Sequence, residues 1–190
     1  MQKTTFFSGL ALASTLLLAA LPAQAQQLVP AQSSVEFTAK QMGVPLQGHF
    51  KKFDAQVAFD PAQLAASRIR FTVDTGSATM GARETDAELP KAPWFNVPQF
   101  PQATFESTAI KALGGGKFDV AGKLTIKGTA VNVSVPVALV QSGATTTATG
   151  VLPLKRLAFK IGDGEWADTS MVSDEVQVKF KLALTGVGKL

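Results

Sequence analysis

The sequence predicts an all-β protein, a sandwich or a barrel built as one domain. Three observations carry this. Apolar and polar residues alternate with a period of two through most of residues 26–190. Turn-forming pairs and triplets separate the alternating runs: Gly114-Gly115-Gly116, Lys127-Gly128 and Ser142-Gly143. A helical period is scarce. Successive strand residues point to opposite faces, so each run has one apolar and one polar face. Many short strands in one domain resolve as a sandwich or a barrel, and period alone does not separate the two.

Taken in order, residues 34–40 and 46–51 are weak strands, and residues 53–59 put Phe53, Ala55, Val57 and Phe59 on one face. Asp60-Pro61 opens a short turn through Ser67, with Pro at a first helical position. Ile69, Phe71 and Val73 alternate with Arg70, Thr72 and Asp74. Residues 80–96 are the longest stretch without alternation, and a short helix is expected around Arg83 to Leu89. A weak strand at 102–110 leads to Phe118, Val120, Leu124 and Ile126 alternating with lysines, threonine and Asp119. Val131, Val133, Val135, Val137 and Leu139 form a ladder, with Pro136 on its other face marking an edge or a bulge. After a weak strand at 145–154, Leu157, Phe159 and Ile161 alternate, and Val176 to Leu184 closes the series. The count is eight to ten strands.

Composition excludes several chemistries. Of 190 residues, 46% are hydrophobic and only 17% charged, with one His, no Cys and no Tyr. Disulfides, cysteine nucleophiles and zinc–cysteine sites cannot be built, and a histidine-rich metal site cannot be built within one chain. Residues 1–25 are expected to be a cleaved export signal. Lys3 precedes an apolar run from Phe6 to Leu21, then Pro22 and the small-x-small Ala23-Gln24-Ala25. Its removal leaves residues 26–190 as the domain and takes away Lys3 and no acid, so the net charge falls from +4 to +3. The expected location is the bacterial periplasm. The basic residues are scattered singly, so no nucleic-acid partner is expected. No stable membrane insertion is expected either: two Trp and no Tyr cannot form aromatic girdles around a lipid-facing barrel.

The chemistry-bearing residues are few. His49 has no partner for a metal or a pH switch. Asp163, Glu165 and Asp168 lack the spacing of a calcium loop and fit a hairpin with polar turn residues, from which Trp166 could fold over a barrel mouth. No G-x-S-x-G elbow and no phosphate loop occur, and most acids fall on polar strand faces. No catalytic residue, metal ligand or required cofactor is expected. What remains is apolar bulk: 11 of the 13 Phe lie beyond residue 25. Composition leaves even the choice between phenylalanines that line a cavity and phenylalanines that fill one.

Three stretches carry a resemblance. They are Ser34-Val35-Glu36-Phe37-Thr38 with Gly48-His49-Phe50; Trp94-Phe95-Asn96-Val97 with Phe100-Pro101-Gln102-Ala103-Thr104-Phe105; and Val120-Ala121-Gly122-Lys123-Leu124-Thr125-Ile126-Lys127-Gly128. Together with Ile161-Gly162 and Asp174-Glu175-Val176 they resemble the YceI-like family of exported, lipocalin-like proteins. The resemblance implies a single antiparallel β-barrel of about eight strands with one or two short helices in its loops. It also implies a polyisoprenoid, quinone-like or similar long lipid as ligand, with transport, storage or stress response as the role. Two departures stand out. Pro30-Ala31-Gln32-Ser33 replaces an expected Asp-x-x-His, and Lys160 occupies the Gly of an expected Arg-x-x-Phe-Gly-Ile beginning at Arg156.

Given such a ligand, the apolar-face residues Phe37, Phe59, Phe71, Val73, Phe105, Phe118, Leu124, Val135, Phe159 and Phe180 are the candidate lining. Met42, Met80, Trp94, Phe95 and Trp166, from the non-alternating segments, are the candidate mouth. The alternatives are a filled, ligand-free structural or stress-interaction barrel and, behind it, an enzyme. The expected partner is an apolar lipid, and a homodimer is left open.

Overall fold

The computed structural model describes residues 26–190. The expected export signal lies outside the described residues. Among those residues, eleven strands join one antiparallel sheet. In chain order they are β1 (Gln27–Leu28), β2 (Ser34–Gln41), β3 (Val44–Phe50), β4 (Phe53–Ala58), β5 (Arg68–Asp74), β6 (Ala78–Thr79), β7 (Gln102–Gly114), β8 (Lys117–Ile126), β9 (Thr129–Ser142), β10 (Thr145–Lys155) and β11 (Glu175–Thr185). One short helix, α1 (Arg83–Glu88), follows β6. The hydrogen-bonded order is β4-β5-β7-β8-β9-β10-β11-β2-β3-β6, with β1 on β11.

The expected barrel of about eight strands is corrected in one respect. The sheet curls into a half-barrel with a seam between β4 and the β3–β6 edge, and the count rises because β1 and β6 are two-residue strands. Residues 26–28 span the seam's far side. Gln27 and Leu28 pair with Thr185 and Leu184 of β11. Gln26 bridges to Val57, and its side-chain amide donates to the Phe59 carbonyl (2.6 Å) while accepting from the Phe59 amide (3.0 Å). At the near side the Lys51-Lys52 turn is tied to the 74–77 segment by Lys51 N–H to Ser77 O (3.2 Å) and Asp74 N–H to Lys52 O (3.0 Å). Pairing across these points satisfies backbone groups that two bare edges would expose.

Pro136 sits where its missing N–H predicts. The β9–β10 ladder runs from Ser142↔Thr145 only to Val137↔Gly150, so Pro136 stands just beyond its end. Past it the strands diverge, and Leu152, Leu154 and Phe159 fill the gap against Val131 and Val133. Residues 157–161 are a correction. Their alternation predicts a strand, but Arg156–Phe159 forms a 3-10 turn. Lys160 then takes a left-handed φ of 56°, the conformation that suits the glycine expected there. The run was too short for period to separate a strand from a tight turn.

Candidate functional site

The inward faces of the strands enclose an apolar cavity of about 590 Å³. All ten lining candidates, Phe37, Phe59, Phe71, Val73, Phe105, Phe118, Leu124, Val135, Phe159 and Phe180, border it. So do Met80, Trp94, Phe95 and Trp166 of the mouth set. Met42 does not: it lies outside the cavity wall and is 70% exposed. The reason is local. Met42-Gly43 forms the two-residue turn between β2 and β3, and Gln41, one residue earlier, is the last of that hairpin arm to face inward.

Among the described residues the tube has one mouth. Exposed residues enter its wall only at the end formed by Lys40, Gln41, Glu84 and Glu88, beside the two tryptophans. At the other end the wall is closed by Phe59, Phe118, Thr146 and Leu184, all buried, with Leu64 and Val187 packed behind them.

Why the lumen stays open follows from three glycines. Gly48, Gly122 and Gly150 occupy inward positions of β3, β8 and β10, where alternation calls for a side chain. A Cβ on Gly48 would run into the Phe37 ring, one on Gly122 into Phe105, and one on Gly150 into Phe180. Phe37 is directly opposite Gly48, and Phe180 is directly opposite Gly150. Each ring therefore lies along the barrel wall, over a neighbouring strand's bare backbone, instead of standing into the lumen. Glycine inside a strand weakens it, and close approach by another group is the usual reason it is kept.

The mouth is organised by two buried cations. Arg156 is 3% exposed, and all five of its N–H donors are used. Nε donates to Ser173 O (3.1 Å), Nη1 to Ile161 O (2.9 Å) and Gly162 O (2.5 Å), and Nη2 to Trp166 O (2.7 Å) and Val172 O (2.7 Å). Burial pulls its pKa below the usual guanidinium value, and the Asp174 carboxylate opposes that shift. A planar fork of five donors fits a cage of carbonyls that one ammonium cannot fill. The Lys127 side chain, 8% exposed, donates to Lys160 O (2.6 Å) and Pro93 O (3.2 Å) and faces Asp163 at 3.6 Å. These two groups fold residues 156–173 and 93 onto the barrel end. There the Trp94 and Trp166 rings sit 5.5 Å apart. Alternation puts both Lys127 and Arg156 on outer polar faces, the latter opposite Leu157, Phe159 and Ile161; the cage depends on loop carbonyls that no local pattern announces.

Asp163, Glu165 and Asp168 do not converge. Asp163 faces Lys127. Asp168 accepts from Ser170 N–H (2.8 Å) and Oγ (2.7 Å). His49 lies exposed on the outer face of β3, opposite Thr79.

Helix α1 spans only six residues and has no side-chain cap at its own first turn, too short to stand alone. Asp86 ties it to β6 by accepting from Thr79 Oγ1 (2.5 Å) and from Met80 N–H (2.6 Å). The Thr79 bond chiefly, then the Met80 bond, with Lys51 and His49 nearby, holds the Asp86 carboxyl below the usual aspartate value of 3.8. A depressed carboxyl stabilises the docked helix fully above its unfolded pKa, and that support is lost as pH falls through the lower folded value. The protection of α1 amides, judged against their intrinsic exchange rates, is therefore expected to fall below about pH 4 ahead of that of the strands. Asp86→Asn is expected to give the same loss of protection at neutral pH. Equal protection of helix and strands across that range would refute the tether.

The YceI-like domain model matches residues 26–184. A UPF0312 protein of Vibrio parahaemolyticus is 31% identical over 148 residues, 75% of this chain and 77% of that one. A UPF0312 protein of Azotobacter vinelandii is 32% identical over 147 residues, 75% of this chain and 76% of that one. Among solved structures, BcnA of Burkholderia cenocepacia is similar at a TM-score of 0.79 and 51% identity, over 82% of this chain and 98% of that one. A polyisoprenoid binding domain from Saccharophagus degradans, implicated in plant cell wall breakdown, is similar at a TM-score of 0.70 and 15% identity, over 85% of this chain and 98% of that one. At that identity the likeness is one of fold.

Proposed function

The chain belongs to the YceI-like domain family, and we propose that it binds one long apolar chain, an isoprenoid or a similar lipid, inside its half-barrel. The observation that carries this reading is the cavity: about 590 Å³ walled almost wholly by apolar side chains and open at one end. Ligand sites fall in the range of ~300–1,000 Å³, apolar with a few polar groups to orient the ligand. Here those groups stand at the mouth, as Lys40, Gln41, Glu84 and Glu88. A polar head there and a tail along the Phe-lined wall is the pose that suits them. Each methylene moved out of water contributes up to ~0.8 kcal/mol, without exact hydrogen bonding. The similarly folded domain named for polyisoprenoid binding lends support.

Binding suits this site better than catalysis. Of the charged residues that reach the wall, Arg156 has every donor taken by a carbonyl, and Lys40, Glu84 and Glu88 lie exposed at the rim. The alanine-x-alanine site after an apolar run supports delivery to the periplasm as a carrier or store, with no cofactor required.

Native mass spectrometry of protein from its host, followed by organic extraction, tests the reading. A stoichiometric apolar adduct is expected. Repeated absence, with no uptake of added prenyl alcohol, would sink it. Val135→Trp, or Phe118→Trp, is expected to fold and to lose uptake, since both residues face the lumen. Both tryptophans stand at the mouth, so loading is expected to shift the intrinsic emission to the blue. An unchanged spectrum on stoichiometric loading would place the ligand elsewhere.

A further inference from the structure

The β2–β3 hairpin does not end at the barrel rim. Its turn, Met42-Gly43, projects past Gln41, the last residue of the arm to touch the cavity, and Val44 pairs with Gln41 at the base of that turn. Met42 is 70% exposed and Val44 61%. Met171, 42% exposed, is fastened to this tip: its carbonyl accepts from the Met42 N–H at 2.8 Å, and Gln41 bridges to Val172. Three exposed apolar residues, two at the hairpin tip and one on the loop bonded to it, thus make one protruding knob.

The knob is costly to the free protein in two ways. It holds apolar surface in water. It also holds Met42 at a left-handed φ of 49°, followed by Gly43 at 80°. Such a two-residue turn favours Asn-Gly, because Asn tolerates that conformation and Met does not. The exposed Met side chain offers no hydrogen bond to offset that conformation, and a backbone outlier of this kind points to function. The knob also continues directly into the cavity wall, through Val172, the residue after Met171, and through Gln41. A ligand as apolar as this cavity resides in a lipid phase, not in water.

We infer that the Met42–Val44–Met171 knob docks the mouth on a lipid bilayer, so that the apolar ligand passes between membrane and cavity without crossing water. This rests on the lipid-binding reading of the cavity. Docking is peripheral and reversible: the knob dips into the headgroup boundary, while exposed Lys40, Asp168 and Ser170 around it stay hydrated.

The test uses delipidated protein and vesicles of phosphatidylethanolamine and phosphatidylglycerol, with and without a prenyl alcohol. Wild type is expected to float with the vesicles and to take up the alcohol from them. Met42→Asn with Val44→Thr leaves the cavity wall untouched, and Asn suits the turn, so melting is expected to hold or rise. That variant is expected to bind vesicles at least about tenfold more weakly. It is also expected to take up alcohol from them correspondingly more slowly, while loading normally from detergent. Equal vesicle binding by wild type and variant, or none by wild type, would overturn the docking reading. So would a concentration-dependent dimer that the variant abolishes, since the knob would then serve a second copy. Failure of wild type to load from detergent is a distinct result that refutes the lipid-site reading itself.

Discussion

Replacing Arg156 by Met is expected to lower the melting temperature by roughly 4–24 °C. The side chain supplies five N–H donors to five carbonyls, and its bonds to Gly162 O and Val172 O are fully buried. Met can fill the space but donates nothing. Carbonyls nearer the surface can turn to water. If only the two buried ones stay dry, at about 1–3 kcal/mol each, the loss is roughly 2–6 kcal/mol. In a chain of this size each kcal/mol shifts melting by about 2–4 °C. Lys is not a rescue, since one ammonium cannot reach carbonyls spread from Ile161 to Ser173. The damage should be local first: amide exchange in residues 156–173 is expected to rise before that of the strands. A change of a degree or two, with exchange unaltered, would show that the cage is dispensable. Trp166 and Val172 hang from the same guanidinium and border the mouth, so the variant is also expected to release lipid faster.

The fold was legible wherever one strand's own period decides its faces. Val131 to Leu139 and Val176 to Leu184 read correctly because an antiparallel strand with one buried side must alternate. The ten lining candidates follow from the same rule, since the inward face of a curled sheet is also the wall of its tube. What period cannot carry is anything set by a neighbour. Met42 was grouped with the mouth because it lies outside an alternating run, yet its position depends on where the β2–β3 pairing ends. Arg156 and Lys127 act through carbonyls of loops distant in sequence. Residues 26–28 reach both sides of the seam although their own sequence signals little. Gly48, Gly122 and Gly150 share the parity of their strands' apolar residues, a signal present in the chain. It gains meaning only once register places a phenylalanine against each of them.

Gly48→Val is expected to leave the fold intact and weaken lipid uptake by roughly ten- to a hundred-fold. Gly48 lies in a strand and is absent from the residues at positive φ, so valine meets no backbone strain there. β-branching even favours the strand. The three atoms nearest the new Cβ all belong to the Phe37 ring. That ring already packs against Phe50 at 5.3 Å between centroids, and the free volume beside it is the lumen. Turned inward, it displaces about two or three methylenes of ligand, at ~0.8 kcal/mol each, and tenfold is 1.4 kcal/mol. Gly122 and Gly150 offer no such clean test. A Cβ there also meets backbone, Glu106 O at 2.5 Å and Pro136 O at 2.7 Å, so those substitutions are expected to damage the sheet itself. Isothermal titration with a prenyl alcohol in detergent reads the effect. Pairing Gly48→Val with Phe37→Ala closes the cycle: removing the ring that valine displaces should restore most of the uptake, a coupling that only contact between the two can produce. If the double variant stays as weak as Gly48→Val alone, the loss does not come from Phe37 entering the lumen. If Gly48→Val binds as well as wild type, the phenylalanines lining this wall do not set the space the ligand occupies.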